Sequence, residues 1–128
     1  MKRKNILIIK GKLASLNDYT KACRAQGKKG YLAGSQMKRT AENRIKKCIA
    51  EQFKGGKFKS PIRVKFRWYE PDKKRDLDNI CFAKKFIFDA LVKSGTINGD
   101  GWRDVQGFTD EFFVDKSNPR IEVEILEV

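Results

Sequence analysis

The segment 61–79, PIRVKFRWYEPDKKRDLDN, contains the element that decides the fold. Its first ten residues alternate strictly, with Ile62, Val64, Phe66 and Trp68 on one side and Arg63, Lys65, Arg67 and Tyr69 on the other. A period of two is typical of a strand that is buried on one face. A charged turn over 71–75 follows the strand. We expect Asp78 to be the N-cap of a helix over about 79–93, which Ser94-Gly95 ends.

The rest of the chain supplies elements on both sides of this strand. The apolar residues 5–10 predict a short first strand, and the residues 11–35, with their glycines, are typical of an irregular loop. Ala41, Ile45 and Ile49 recur at helical spacing and predict a helix over about 36–53, which Gly55-Gly56 ends. Two further strands are predicted over about 107–114 and 120–126.

This element order predicts one α/β (α+β) domain over 1–128, in which a mixed sheet of about four strands has two main helices packed on it. The 128 residues suit one core, and no stretch reaches the roughly 18–20 apolar residues that a membrane span needs. The 79–93 helix is apolar on more than one side. Either the core alone or a partner subunit in addition to the sheet would cover such a helix.

The charge is divided unevenly along the chain. The formal net charge is +13, but residues 1–70 hold 20 Lys+Arg and 4 Asp+Glu, whereas residues 71–128 hold 9 and 12. A basic half joined to a half rich in carboxylates suits a protein that binds phosphates and also holds a cation on them. The alternative is a solvated basic surface with no partner.

The chain contains no histidine and only three cysteines, Cys23, Cys48 and Cys81. The absence of histidine excludes Ser-His-Asp and Cys-His catalysis and the zinc sites that need an imidazole. The scattered cysteines favour a reducing, cytoplasmic location over a disulfide framework. Any catalysis must therefore use carboxylates, lysines and hydroxyls.

Carboxylates that could hold a metal ion follow the central strand. Asp76 and Asp78 are two residues apart, so that in an extended segment their side chains point to the same side. Asp100 lies in a turn between two glycines and could complete a three-carboxylate site for Mg²⁺ or Mn²⁺. Lys85, with Lys84 beside it, could stabilise charge on a phosphate. The alternative for this Asp-x-Asp pair is a helix N-cap next to a solvated carboxylate.

Basic residues near aromatic ones are compatible with contact to nucleic acid. We expect DNA contacts from the 11–35 segment, from the charged turn and from the lysine beside Lys85. These candidates are Lys12, Lys21, Arg24, Lys28, Lys29, Lys73, Lys74, Arg75 and Lys84. For each single residue of the 11–35 segment, an ordinary flexible loop with no such role is the alternative.

The motif Arg75-Asp76-Leu77-Asp78-Asn79, followed by Lys85, Asp89-Ala90-Leu91 and Asp100, resembles the RusA family of Holliday junction resolvases. The stretch Ser15-Leu16-Asn17-Asp18-Tyr19 is similar to the family's N-terminal S-x-N-x-Y region. The resemblance runs over about residues 13–114. It implies a RusA-like fold, with Asp76, Asp78 and Asp100 as metal-binding acidic residues and Lys85 as the catalytic lysine.

Two departures from the family pattern affect this assignment. The stretch between Asp78 and Asp89 is three residues longer than in the shortest members, so Lys84 is an alternative to Lys85. The acidic pair that usually precedes the last strands reads Gly99-Asp100 here, so one carboxylate is missing. Asp104 is a candidate to replace it.

The resemblance implies a homodimer that cuts branched, four-way DNA by paired nicks and needs a divalent metal, Mg²⁺ or Mn²⁺, but no organic cofactor and no membrane. Many members are encoded by phages or prophages. A non-cleaving module that binds branched DNA with the same fold is the first alternative. A different carboxylate nuclease superfamily, suggested by Pro71-Asp72 and the lysines after it, is the second.

Overall fold

A computed structural model describes residues 4–24 and 28–128, with side chains in the second range from 32 onward. The central alternating segment forms the strand that holds the sheet together. The elements in chain order are β1 (Ile6–Lys10), α1 (Leu16–Arg24), α2 (Lys28–Phe53), β2 (Ile62–Glu70), α3 (Leu77–Cys81), α4 (Lys84–Lys93), β3 (Val105–Val114) and β4 (Arg120–Glu127).

The four strands form one mixed sheet in the order β1-β4-β2-β3. The β2 strand pairs antiparallel with β4 and parallel with β3, and β4 pairs antiparallel with β1. The alternation along β2 has the predicted effect, because Ile62, Val64, Phe66 and Trp68 are all buried. The predicted class, a mixed four-stranded sheet with packed helices, is therefore confirmed.

Helices cover one face of the sheet. The α2 helix contacts both β1 and α4. Phe88 of α4 meets Phe66 of β2 at a ring-centroid distance of 5.5 Å. Elements of the same chain therefore cover α4 on more than one side, and its apolar character does not require a partner subunit. None of the helices in the described ranges has the length and apolarity needed to cross a bilayer.

The segment 11–35, which we expected to be irregular, instead holds α1 and the beginning of α2. That prediction was wrong because its glycines are not all loop residues. Gly34 lies inside α2, where an added Cβ would be 2.6 Å from Cys23 Sγ of α1. Glycine at this position therefore permits close packing of the two helices. The predicted end of α2 is confirmed, since the helix stops at Phe53 and Gly55 has φ +81°.

The single helix predicted over 79–93 is broken into α3 and α4 at Phe82 and Ala83. At the break, the N–H groups of Lys85 and Phe86 donate to carbonyls three residues back, at 3.1 and 3.0 Å. Bonds of this kind form a tighter turn than the α-helix does. The break separates Lys85 from the beginning of α3, where Asp78 lies.

Candidate active site

The predicted active-site residues all lie on the connection between the parallel strands β2 and β3, over residues 71–104. Parallel strands need a long crossover, and here α3 and α4 form it. Asp76 precedes α3, Lys85 lies in the first turn of α4, and Asp100 lies in the turn before β3. The crossover therefore holds every residue for which we predicted a catalytic role.

Asp76 and Asp78 are both exposed, but they do not lie in one extended segment. Asp76 is the N-cap residue of α3, with φ −70° and ψ 155°, and its side chain makes no capping hydrogen bond. Asp78 lies one residue inside the helix and accepts a hydrogen bond from the Asn79 N–H at 3.0 Å. The prediction of Asp78 as N-cap was wrong by two residues, because the helix begins at Leu77. The argument from strand alternation does not apply to this pair.

Asp100 is exposed in the turn between Gly99 and Gly101. In the part of the chain that the structure describes, no three acidic or cysteine side chains are grouped to hold a metal ion. Asp76, Asp78 and Asp100 thus carry carboxylate oxygens of the kind that a hard divalent cation prefers, but they do not form one assembled group. Mg²⁺ commonly binds one or two carboxylates together with substrate phosphates. A site completed by DNA would be compatible with this arrangement.

Lys85 is the more accessible of the two candidate lysines, with 61% of its side chain exposed. Its Nζ lies 3.1 Å from Oδ1 of Asp89, one helical turn away. This hydrogen bond, together with the charge of Asp89, raises the pKa of Lys85 above its ordinary value, and Asp100 acts in the same direction. Lys85 is therefore a cation at neutral pH, which suits it to charge stabilisation rather than to proton abstraction.

Lys84 is held inside the protein. Its side chain is 16% exposed and forms an ion pair with Asp110 of β3, and its Nζ lies 4.2 Å from the centroid of the Phe108 ring. Asp110 also accepts a hydrogen bond from the Trp68 indole N–H at 2.9 Å. The ion pair with Asp110 neutralises the charge of Lys84 and connects α4 of the crossover to β3 of the sheet. The geometry favours Lys85 as the lysine that reaches a substrate.

The space beside Gly99, where the family pattern has a carboxylate, is filled by the side chain of Asp104. A Cβ at Gly99 would lie 2.5 Å from Oδ2 of Asp104, and Oδ1 of Asp104 accepts a hydrogen bond from Ser60 at 2.8 Å. The carboxylate of Asp104 thus occupies the space into which a side chain at position 99 would project. A larger residue at position 99 would therefore require the Asp104 side chain to shift.

The N-terminal segment that resembles the S-x-N-x-Y region contacts the R-D-x-D-N segment. The N–H of Asn17 donates to Oδ1 of Asn79 at 3.0 Å, and Arg75 donates to the Leu13 carbonyl at 3.0 Å. These two contacts connect the beginning of the chain to the residues that flank Asp76 and Asp78. This contact of Asn79 was not predicted from the sequence. The position of Asn79 in the R-D-x-D-N motif was the one feature that could have indicated a role.

Tyr19 lies in α1 with its ring against the α3–α4 break. Its centroid is 5.5 Å from that of Phe82 and 5.8 Å from that of Phe86. The start of α1 is fixed by a reciprocal pair in which Ser15 N–H donates to Asp18 (3.1 Å) and Asp18 N–H donates to Ser15 Oγ (3.0 Å). This is the capping-box arrangement. In this orientation of α1, the Tyr19 ring packs on Phe82 and Phe86. It is therefore not directed outward for stacking on a nucleobase.

Arg75, which we had predicted to bind DNA, is engaged within the protein. Its Nε and Nη2 lie 2.9 and 2.8 Å from the two carboxylate oxygens of Glu70. Glu70 is buried at a core-facing position of β2, and a buried carboxylate requires a partner. The sequence contained this signal, because Glu70 continues the apolar side of the alternation, but we had not used it.

The structure describes the side chains of most, but not all, of the other predicted DNA contacts. Lys12, Lys21, Arg24, Lys73 and Lys74 are exposed. Lys28 and Lys29 lie outside the residues whose side chains are described. The exposed five remain available to a phosphate backbone, whereas Arg75 and Lys84 have carboxylate partners.

A groove of about 680 Å³ opens beside Asp76. Its lining includes the apolar side chains of Leu77, Ile80 and Phe112 together with charged side chains of both signs. The carboxylates of Glu70, Asp72 and Asp76 outnumber the cations of Lys73 and Arg75, and Arg75 is already paired with Glu70. The groove beside Asp76 is therefore not itself a basic surface.

Comparison with known protein families identifies this chain at the level of its family. A family model described as Endodeoxyribonuclease RusA matches residues 17–126. The match includes the whole crossover with Asp76, Asp78, Lys85 and Asp100. No curated protein matches the chain.

Proposed function

Because this chain belongs to the RusA endodeoxyribonuclease family, which matches 17–126 of its 128 residues, we propose that it resolves four-way (Holliday) DNA junctions. The reaction is metal-dependent hydrolysis of two phosphodiester bonds by paired, symmetric nicks. The observation that carries the proposal is the family match over a crossover whose aspartates Asp76, Asp78 and Asp100 are all exposed. Exposure matters because a phosphodiester bond in DNA must reach these groups.

The residues of this chain divide the chemistry among them. Asp76 and Asp78 would hold Mg²⁺ or Mn²⁺ together with the phosphate to be cut, and Asp100 is the third candidate ligand. A bound divalent cation would polarise the phosphate and favour formation of hydroxide. Lys85 stays protonated beside Asp89 and offsets the charge that develops on the phosphate oxygens. The exposed candidates Lys12, Lys21, Arg24, Lys73 and Lys74 bind the backbone of the arms.

A homodimer would place two such sites about a two-fold axis, which matches the near two-fold symmetry of a junction. The two edges of the sheet differ in a way that supports one interface. At the β1 edge, Gln52 of α2 accepts from the Ile8 N–H at 2.8 Å and donates to the Ile8 carbonyl at 2.7 Å. Among the described residues, no side chain bonds the outer backbone of β3 in this way.

The β3 edge also exposes apolar side chains, with Phe108 49% and Val114 50% accessible. An uncovered edge strand with apolar residues tends to pair with another chain. We therefore propose that β3 meets a second copy. Phe108→Asp should convert a dimer to a monomer in sedimentation velocity, whereas Ile8→Asp on the β1 edge should not. A dimer that is unchanged by Phe108→Asp would contradict this interface.

A labelled synthetic four-way junction, incubated with Mg²⁺, with Mn²⁺ or with EDTA beside a linear duplex, tests the main proposal. We expect symmetric nicks in the junction alone, and only with metal. Asp76→Asn and Asp78→Asn should abolish cutting and leave junction binding in EDTA intact, since removal of negative charge does not weaken a direct phosphate contact. Glu51→Gln, which changes an exposed carboxylate on α2, is the matched control and should cut normally.

The second candidate function is a branched-DNA-binding module that does not cut. Two observations favour it: the described residues contain no assembled three-carboxylate group, and glycine stands at position 99. Tight binding of the junction without cutting under either metal would establish this alternative. The absence of selective junction binding would contradict both functions.

A further inference from the structure

A second charged site lies between α2 and the end of α4. It is a cleft of about 360 Å³ whose walls carry four cations, Lys38, Arg39 and Lys46 from α2 and Lys93 from α4. Among the described residues that line the cleft, Glu42 is the one carboxylate, so their charged side chains sum to +3. A hydroxyl and an amide, from Ser35 and Asn43, add further hydrogen-bonding groups.

Glu42 is buried beneath these cations, with only 5% of its side chain exposed. Its Oε1 lies 2.6 Å from Nζ of Lys93, and its Oε2 lies 3.9 Å from Nζ of Lys38. Among the described residues, Oε2 has no hydrogen-bond partner. A buried carboxylate is costly unless it is paired, so Glu42 holds the two lysines at the cleft. The ammonium of Lys38 approaches it without a hydrogen bond and remains able to donate to a ligand.

Four cations around a small polar opening suit one kind of ligand. Ammonium and guanidinium groups donate charge-assisted hydrogen bonds to phosphate oxygens. A nucleobase would need an apolar or aromatic wall, and none of the lining side chains that the structure describes is aromatic or aliphatic. The ligand class is therefore a phosphate group.

A series of ion pairs connects the cleft to the candidate active site. Lys93 contacts Glu42, Lys38 lies between Glu42 and Asp89, and Asp89 contacts Lys85. Lys85 and Lys93 are eight residues apart on α4, which is about 12 Å along the helix axis. A phosphate in the cleft is therefore not the one beside Lys85.

We propose that this cleft binds a backbone phosphate of a junction arm, away from the bond that is cut, with Lys38, Arg39, Lys46 and Lys93 as its donors. The proposal rests on the proposed function, because it supposes that branched DNA is the ligand. It adds a contact outside the crossover and fixes the direction in which one arm leaves the active site, across α2 and α4.

The test uses the double variant Arg39→Gln/Lys46→Gln, because neither side chain takes part in the Glu42 ion pairs. Junction affinity is measured in EDTA, where cutting is absent, over a range of salt concentrations. Loss of one phosphate contact should reduce the slope of log K against log salt by about 0.9 and weaken binding roughly tenfold at moderate salt. Lys47→Gln, an exposed cation of α2 outside the cleft, is the matched control and should have a smaller effect on both.

Inorganic phosphate provides a second, independent measurement. In a titration followed by NMR, the backbone amides of Asn43 and Lys93 should shift in the wild type and not in the double variant. Unchanged amides in the wild type would overturn the site. Shifted amides with an unchanged salt slope would identify an adventitious ion only and would overturn the role in DNA binding. A wild-type protein that does not bind the junction at all would instead contradict the proposed function.

Discussion

Arg75 and Glu70 form a two-armed ion pair at the end of β2, with Nε and Nη2 2.9 and 2.8 Å from the two carboxylate oxygens. The same guanidinium donates to the Leu13 carbonyl, so one side chain joins β2, the charged turn and the N-terminal segment. Although Arg75 belongs to the motif that flanks Asp76, its partners are those of a residue that supports the fold.

Replacement of Arg75 should therefore reduce stability more than a change at a neighbouring lysine. Arg75→Ala leaves the buried carboxylate of Glu70 unpaired and should lower the free energy of unfolding by about 2–3 kcal/mol. Lys74→Ala, which changes an exposed residue of the same turn, should stay within about 0.5 kcal/mol of the wild type. Urea denaturation measures both values. Equal values would show that the ion pair contributes little.

The pairing of Lys85 with Asp89 predicts a change in the pH dependence of activity. The hydrogen bond to Asp89 raises the pKa of Lys85, so the cation persists to a higher pH than an isolated lysine would allow. Asp89→Asn removes this charge and should move the alkaline fall in cleavage rate to lower pH, with a change of less than about threefold at neutral pH. Cleavage rates of the wild type and of Asp89→Asn, measured at several points between about pH 7 and about pH 11, test this prediction. Identical alkaline limbs would contradict a role for the Lys85 cation.

The arrangement of the aspartates predicts weak metal binding in the absence of DNA. Since Asp76, Asp78 and Asp100 are not assembled into one group, roughly 10 mM Mg²⁺ should stabilise the free protein by less than about 0.5 kcal/mol in thermal unfolding. On a junction that resists nicking, the same Mg²⁺ should tighten binding of the wild type and not of Asp76→Asn. Strong stabilisation of the free wild type, lost in Asp76→Asn, would indicate a preformed site instead.

The contact between Gly99 and Asp104 predicts coupling between two substitutions. Gly99→Ala places a methyl group against the Asp104 carboxylate and should cost about 1–2 kcal/mol. In Gly99→Ala/Asp104→Ala, the loss should be smaller than the sum of the single losses by about 1 kcal/mol. Gly101→Ala is the matched control, since a Cβ there meets nothing within 4 Å. Strict additivity would show that the two positions do not interact.

The capping box of α1 predicts a loss of stability at acid pH. The Ser15 N–H hydrogen bond lowers the pKa of Asp18 below its ordinary value. The stabilisation is therefore fully present above an unfolded pKa of about 3.9 and is lost as the pH falls through the lower folded value. Asp18→Asn should lose part of the acid dependence that the wild type shows in urea denaturation. Asn17→Ala, on the same helix turn, should keep it, and an unchanged dependence in Asp18→Asn would contradict the assignment.

The parts of the fold that local pattern determines could be predicted. The alternation along β2 and the glycines after α2 act within a few residues, and both predictions were correct. The break between α3 and α4 could not be predicted, because the rings of Tyr19, Phe82 and Phe86 meet there from two distant parts of the chain. For the same reason, Gly34 was interpreted as a loop residue, although its lack of a side chain serves contact with Cys23 of another helix.

The sequence indicated which residues could form the candidate site, but not which of its cations have partners within the protein. Motif and spacing identified Asp76, Asp78, Asp100 and Lys85, and these assignments remain predictions. Which cations are already neutralised depends on partners that are distant in sequence, such as Asp110 for Lys84. The cleft around Glu42 was not anticipated, because it forms only when α2 and α4 pack together.

The parallel pairing of β2 with β3 has a consequence for how such a protein can change. Its two ends fix a crossover whose interior holds all the proposed catalytic residues. The α4 helix of this crossover also packs on α2, where Lys93 pairs with the buried Glu42. The crossover therefore cannot be exchanged for that of a relative by itself, because a donor segment without a cation at position 93 would leave the Glu42 carboxylate buried without its nearest partner.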